Sequence, residues 1–124
     1  MPKLKPLNQQ VIVITGASSG IGLATARKAA KRGARVLLVS RNHDALKEVA
    51  DEINKEGGEA AYVVADVGVR ADVERIAQCA VERFGGFDTW INDAGVGIFA
   101  RTEAVSEEDA RRLFDTNFFG VVNG

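Results

Sequence analysis

Apolar residues fall in four short runs along the chain, and each is followed by a stretch of different period. VIVIT (11–15), RVLLVS (35–40), AAYVVA (60–65) and FDTWIN (87–92) are bounded by glycine or polar residues, and their length predicts buried strands rather than helices. Between them the apolar positions recur at helical spacing. An alanine-rich stretch predicts a helix over 21–31, ended by Gly33. A second helix starts near residues 42–44 and puts Leu46, Val49, Ala50 and Ile53 on one face, and Gly57-Gly58 stops it. A third carries Val73, Ile76, Ala77, Ala80, Val81 and Phe84 as its stripe, with Asp72 as the expected N-cap and Gly85-Gly86 as its end. After Gly97 a loop is expected, then a helix from about Ser106, where Ser106-Glu107-Glu108-Asp109 reads as a capped, acidic first turn.

Short strands alternating with amphipathic helices predict βαβ units, right-handed crossovers and a parallel sheet. The first strand-to-helix junction is TGASSGIG, with glycines at Gly16, Gly20 and Gly22 and hydroxyls at Ser18 and Ser19. At such a junction free backbone N–H groups and the positive helix end converge, which suits a phosphate. The spacing is neither G-x-G-x-x-G nor a P-loop. A glycine turn that serves only tight packing is the alternative. The second strand ends in Ser40-Arg41-Asn42, where folds of this kind meet the adenosine ribose. No carboxylate stands there to repel a phosphate, and an arginine can pair with one, so NADP(H) is expected over NAD(H). The alternative is a solvated surface arginine.

Composition narrows the field. With 124 residues, 46% hydrophobic and 27% charged, residues 1–124 are expected to form a single dinucleotide-binding domain. A net charge of −1 gives no reason to expect a nucleic-acid or acidic-membrane partner. The N-terminal MPKLKPLNQQ lacks the apolar core of a signal peptide, and no run approaches a membrane span. With a single cysteine, Cys79, a cytoplasmic setting is the expectation. One histidine and one cysteine cannot assemble a zinc site of the usual type, so no metal is expected. His43 reads as a surface or capping residue, Tyr62 as a packing residue in the third strand, and Trp90 as core.

With these residues in view, the sequence resembles the short-chain dehydrogenase/reductase family over essentially its whole length. Thr15 to Gly22 is similar to that family's TGxxxGxG cofactor loop, which implicates Gly16, Ser18, Ser19, Gly20, Ile21 and Gly22. Ser40, Arg41 and Asn42 stand where NADP-preferring members carry a basic residue. Asp66-Val67 resembles the pair that borders the adenine, with the Asp66 carboxylate accepting from the adenine amino group. Asn92-Asp93-Ala94-Gly95 resembles the NNAG motif, with Asp93 at the second asparagine; Asn92, Ala94 and Gly95 are carried over to the cofactor site. Asn117, in DTNFFG, resembles the asparagine of the family's active-site tetrad, which helps hold a proton-relay water.

The rest of that tetrad, a serine and a Tyr-x-x-x-Lys pair, has no counterpart: the one tyrosine is Tyr62, and four residues on stands Asp66. The fold class expected is therefore α/β, a Rossmann-type doubly wound parallel sheet truncated after about four strands and incomplete at the C-terminus. The resemblance implies an NADP(H)-dependent oxidoreductase acting on a small-molecule carbonyl or alcohol, represented here by its cofactor-binding half. The chain alone is expected to be catalytically incompetent. The alternative is an NADP(H)-binding module or a structural fragment without activity. Homo-oligomers, formed in the family through the helix that carries Asn117, are a further expectation. Residues 96–101 do not choose a substrate.

Overall fold

The computed structural model describes residues 3–96 and 100–124. The loop expected after Gly97 begins on residues 97–99, outside those described. Four strands form one parallel sheet: β1 (Val11–Thr15), β2 (Arg35–Ser40), β3 (Glu59–Val64) and β4 (Thr89–Ile91), in the order β3-β2-β1-β4. Helices α1 (Gly20–Lys31), α2 (His43–Lys55) and α3 (Arg70–Phe84) make the crossovers. After β4, α4 (Glu107–Phe114) runs through a π-helical turn at Asp115–Phe119 into α5 (Gly120–Asn123).

The two central strands, β1 and β2, are buried on both faces because they are apolar at both alternating positions, while β3 and β4 at the edges are partly covered. Ile12, Ile14, Val36 and Leu38 face α1 and α2, where they meet Ala26, Ala30, Leu46 and Ile53. Val13, Leu37, Val39, Ala61 and Val63 face the other way, onto Ile76 and Ala80 of α3. Register keeps these sets aligned: Val13 lies opposite both Leu37 and Trp90, and Leu37 opposite Ala61. The small residues of α1 let that helix lie close to the strands, which brings its N-terminus against the end of β1.

Three expectations are corrected. Asp72 does not cap α3, which begins at Arg70 with Val69 in the cap position; the Asp72 carboxylate instead accepts from the backbone N–H of Asp66 at 2.9 Å. Val81 is 56% exposed, because the buried stripe of α3 narrows to Val73, Ile76 and Ala80. Trp90 is half-buried, not core: β4 is an edge strand of the described sheet, and Trp90 packs edge-on to Phe87 at 5.5 Å. Strand β3 also starts and ends one residue earlier than read, and β4 is confined to three residues.

At the entry to β4, Asp88 ties two distant segments together. Its carboxylate accepts from the Val11 backbone N–H at 2.8 Å and pairs with Lys5 at 2.8 Å. The Lys5 hydrogen bond, then the bond from Val11, hold its pKa below the ordinary 3.8. A depressed folded-state pKa contributes stability above the unfolded value and loses it as pH falls through the folded one. The stability gap between wild type and Asp88→Asn should therefore be constant from about pH 5 to 7 and close as pH falls through the lowered folded-state pKa. Urea denaturation across this range measures it; a gap independent of pH would contradict the assignment.

Candidate functional site

The C-terminal ends of all four strands open into one cleft of about 380 Å³. It sits where β1 has β2 on one side and β4 on the other, so that the chain leaves in opposite directions, the place where open parallel sheets accept ligands. A larger groove of about 1050 Å³ lies at the opposite end of α1 and α2, bridged by an Arg27–Glu52 ion pair, and no strand C-terminus opens into it.

The floor of the cleft is the turn from β1 to α1. Gly16 has φ 68°, and a Cβ there would stand 2.8 Å from the Asp93 backbone carbonyl carbon, so this glycine lets the β1 and β4 turns touch. A Cβ on Gly22 would overlap the Gly16 carbonyl oxygen; that glycine serves the contact between α1 and the turn and does not line the cleft. Gly20 differs from both. It has φ 57°, lines the cleft, and a Cβ there would meet nothing within 4 Å, so open space adjoins the first turn of α1.

That first turn is left chemically unsatisfied. Ser19 occupies the N-cap position but makes no side-chain cap, whereas Asn42 caps α2 through Ala45 N–H and Ser106 caps α4 through Asp109 N–H, both at 3.1 Å. Orphan N–H groups at a helix start attract an anion. Ser18, Ser19 and Ile21 line the same region.

Along the β2 side, side chains build the turn that presents Arg41. Ser40 Oγ accepts from Asn42 N–H at 3.0 Å, and Asn42 Oδ1 caps α2. Arg41 lines the cleft and makes no ion pair or side-chain hydrogen bond among the described residues. At the β3 end, Asp66 and Val67 line the cleft. Asp66 Oδ1 accepts from Gly68 N–H at 2.9 Å, which leaves Oδ2 as the available acceptor, 4.0 Å from Arg112 Nη2.

The β4 side is organised by Thr15. This residue is 1% exposed. Its hydroxyl donates to Ile91 C=O at 3.3 Å and accepts from the N–H groups of Asp93 and Ala94 at 3.1 and 3.2 Å. Asp93, Ala94 and Gly95 thereby border the cleft. Asn92 does not: its Oδ1 accepts from Trp90 Nε1 at 2.9 Å. Asn117 stands behind the lining. Its amide donates to Val96 C=O at 2.7 Å and accepts from Val96 N–H at 2.8 Å, so both ends of the side chain hold the backbone of a cleft residue. The π-helical turn around it widens the helix at this contact.

Sequence reasoning left out Val39, Ala65, Asp93, Val96 and Thr116, which line the cleft. Strand ends at Val39 and Ala65 are legible once the strands are placed; Thr116 and the π turn have no local sequence signal. His43 is exposed, with Nε2 3.3 Å from the Tyr62 hydroxyl, and Tyr62 packs against the α1–α2 face of the core. Burial raises the Cys79 thiol above its ordinary pKa. Among the described residues no group of three His, Cys, Asp or Glu could hold a metal, and no helix is long and apolar enough to cross a membrane.

A doubly wound parallel sheet with an uncapped helix start at its switch point is an arrangement that suits an anion. The sequence profile of the short chain dehydrogenase family matches residues 10–124, and the chain belongs to that family. It is 57% identical over 98% of its length to an uncharacterized oxidoreductase of Bacillus subtilis, YxnA, and spans 34% of that protein. Among solved structures, an alcohol dehydrogenase from Thermococcus sibiricus complexed with 5-hydroxy-NADP superposes with TM-score 0.87 at 40% identity, over 92% of this chain and 49% of that one. A short chain dehydrogenase/reductase from Burkholderia phymatum in complex with NAD superposes with TM-score 0.93 at 35% identity, over 98% of this chain and 43% of that one. The chain thus spans between a third and a half of these relatives.

Thr15→Val would leave two partly buried N–H groups without their acceptor. We expect a loss of about 2 kcal/mol in urea denaturation, with Thr15→Ser recovering most of it. Equal losses for the two variants would mean that packing, not the hydroxyl, matters at this position.

Proposed function

We propose that this chain is the NADP(H)-binding part of a short-chain oxidoreductase, and that alone it binds the dinucleotide without turning it over. The observation that carries the reading is the uncapped first turn of α1, open on the cleft at Gly20, with an unpaired arginine beside it among the described residues. The turn from Gly16 to Gly22 fits the pyrophosphate. Arg41, with Ser40 and Asn42 shaping its turn, fits a 2′-phosphate; no carboxylate stands at these positions to accept a ribose 2′-hydroxyl. Asp66 and Val67 fit the adenine end, and Ala94 and Gly95 lie toward the other end of the cleft. The dinucleotide would supply hydride chemistry when bound.

The residues present divide into grip and support. Ser18, Ser19, Ile21 and Arg41 line the cleft, Gly22 packs behind its turn and Asn117 holds the Val96 backbone, while Asn92 bonds to Trp90 Nε1. Asn117 acts in this structure as a positioning residue for Val96. The sequence contains no Tyr-x-x-x-Lys, and its one phenol, Tyr62, lies on β3 outside the cleft lining, where it is not placed to move a proton to a substrate oxygen in the cleft. A carbonyl or alcohol substrate belongs to this proposal at the level of the whole oxidoreductase. The exposed Phe114, Phe118, Phe119 and Val122 fit a homo-oligomer contact along 107–123, and the single thiol fits a reducing cytoplasm.

Titration of NADPH and NADH by nucleotide fluorescence tests the assignment. Arg41→Ala should weaken NADPH about tenfold or more while leaving NADH unchanged, because only the 2′-phosphate pair is lost. Equal effects on both cofactors, or none, would overturn the NADP(H) preference. Wild-type chain should show no NADPH-dependent turnover on a panel of carbonyl compounds; turnover would refute the claim that it only binds.

Asp93 adds a second test. Its Oδ2 lies 2.8 Å from the position that a Cβ on Gly22 would take, at the start of the helix that would receive the pyrophosphate. A carboxylate there opposes a second anion, so Asp93→Asn should tighten NADPH about threefold, and more at low salt. Weaker binding in the variant would show that the carboxylate assists instead.

A further inference from the structure

Among the described residues, Arg112 is the cation that the helix after β4 brings to the Asp66 end of the cleft. It sits four residues before Thr116, which lines the cleft wall. Neighbouring Arg111 is held on its own helix by Glu107 at 2.8 Å, but Arg112 has no such partner among the described residues. Its guanidinium reaches across to Asp66 Oδ2 and stops at 4.0 Å, too far for a hydrogen bond and close enough for a loose ion pair. The arginine side chain is 53% exposed and that of Asp66 30%, so the pair stands at the rim with room for a third group. The other Asp66 oxygen is committed to Gly68 N–H.

We propose that Arg112 is a binding residue for the base of the dinucleotide: the purine's amino group inserts at Asp66 Oδ2, and the displaced guanidinium lies over the ring. This rests on the NADP(H) reading of the cleft. A planar cation beside a carboxylate that accepts from the base edge can cover the base face without breaking the charge balance of the rim. The residue thus adds to adenine recognition a contact that the glycine turn and Arg41 do not supply.

The test titrates wild type, Arg112→Leu and Arg112→Lys with NADPH, with 2′,5′-ADP, and with reduced nicotinamide mononucleotide, which lacks the adenosine half. Circular dichroism confirms that each variant folds; the site is exposed. Arg112→Leu should weaken NADPH and 2′,5′-ADP about fivefold and leave the mononucleotide unchanged, with Arg112→Lys recovering less than half of the loss. The loss should persist in 0.5 M salt, roughly, since a stacked cation is less screened than a distant one. Unchanged 2′,5′-ADP affinity in Arg112→Leu, or full recovery by lysine, would overturn the proposal in favour of no contact or of long-range attraction. If wild type binds neither NADPH nor 2′,5′-ADP, the reading of the cleft itself falls, a result distinct from a variant that binds as wild type does.

Discussion

The bonds made by the Thr15 hydroxyl hold the two halves of the cleft in register. β1 and β4 are neighbours in the sheet but 77 residues apart at every paired position, from Ile12 with Thr89 to Ile14 with Ile91, and their ladder ends where the cleft begins. Beyond Ile91 the chain turns away, and no further backbone pairing would fix where Asp93 and Ala94 lie. One buried hydroxyl takes over from the ladder, binding one carbonyl and two N–H groups. Gly16 allows the resulting approach, since any side chain there would strike the Asp93 backbone. From that contact follow the position of Val96, and through Asn117 the docking of the helix that walls the cleft.

Burial on both faces of the sheet supports this arrangement. Even-numbered positions of β1 and β2 pack on α1 and α2, odd-numbered ones on α3, so no strand can slip by one residue without exchanging its two apolar sets. Rigidity in the strands then fixes the loops at their C-terminal ends, while the opposite ends carry ordinary surface ion pairs such as Arg27–Glu52.

Much of this was legible in the sequence, for physical reasons that differ by element. β1 and β2 were readable to the residue because glycine and polar residues bound continuous apolar runs. α2 was readable because Leu46, Val49, Ala50 and Ile53 leave no doubt about its buried face. β4 was overestimated since Phe87 and Asn92 look strand-like, although their side chains bind within the turns or stand exposed. Asp72 resembled a cap, and it does accept a backbone N–H, but from Asp66 across the loop rather than from its own helix. At the site, the glycine turn and Arg41 announced themselves by spacing, and Asp66 by its resemblance to the family's adenine-bordering pair. Asp93 and Thr116 did not, because their place on the wall depends on the meeting of three segments distant in sequence. The π turn, whose Asn117 bonds to the Val96 backbone, likewise has no local signal.

An uncapped helix start has a thermodynamic meaning beyond recognition. A capping side chain typically adds about 1 kcal/mol to a helix, and α1 forgoes it at Ser19 while α2 and α4 have it. Any anion that settles on those N–H groups supplies what the cap would have supplied. Where such an anion binds, folding and occupancy would be linked, and the melting temperature would rise with ligand concentration. In a cell, such a domain would resist proteolysis in proportion to the supply of the molecule it binds.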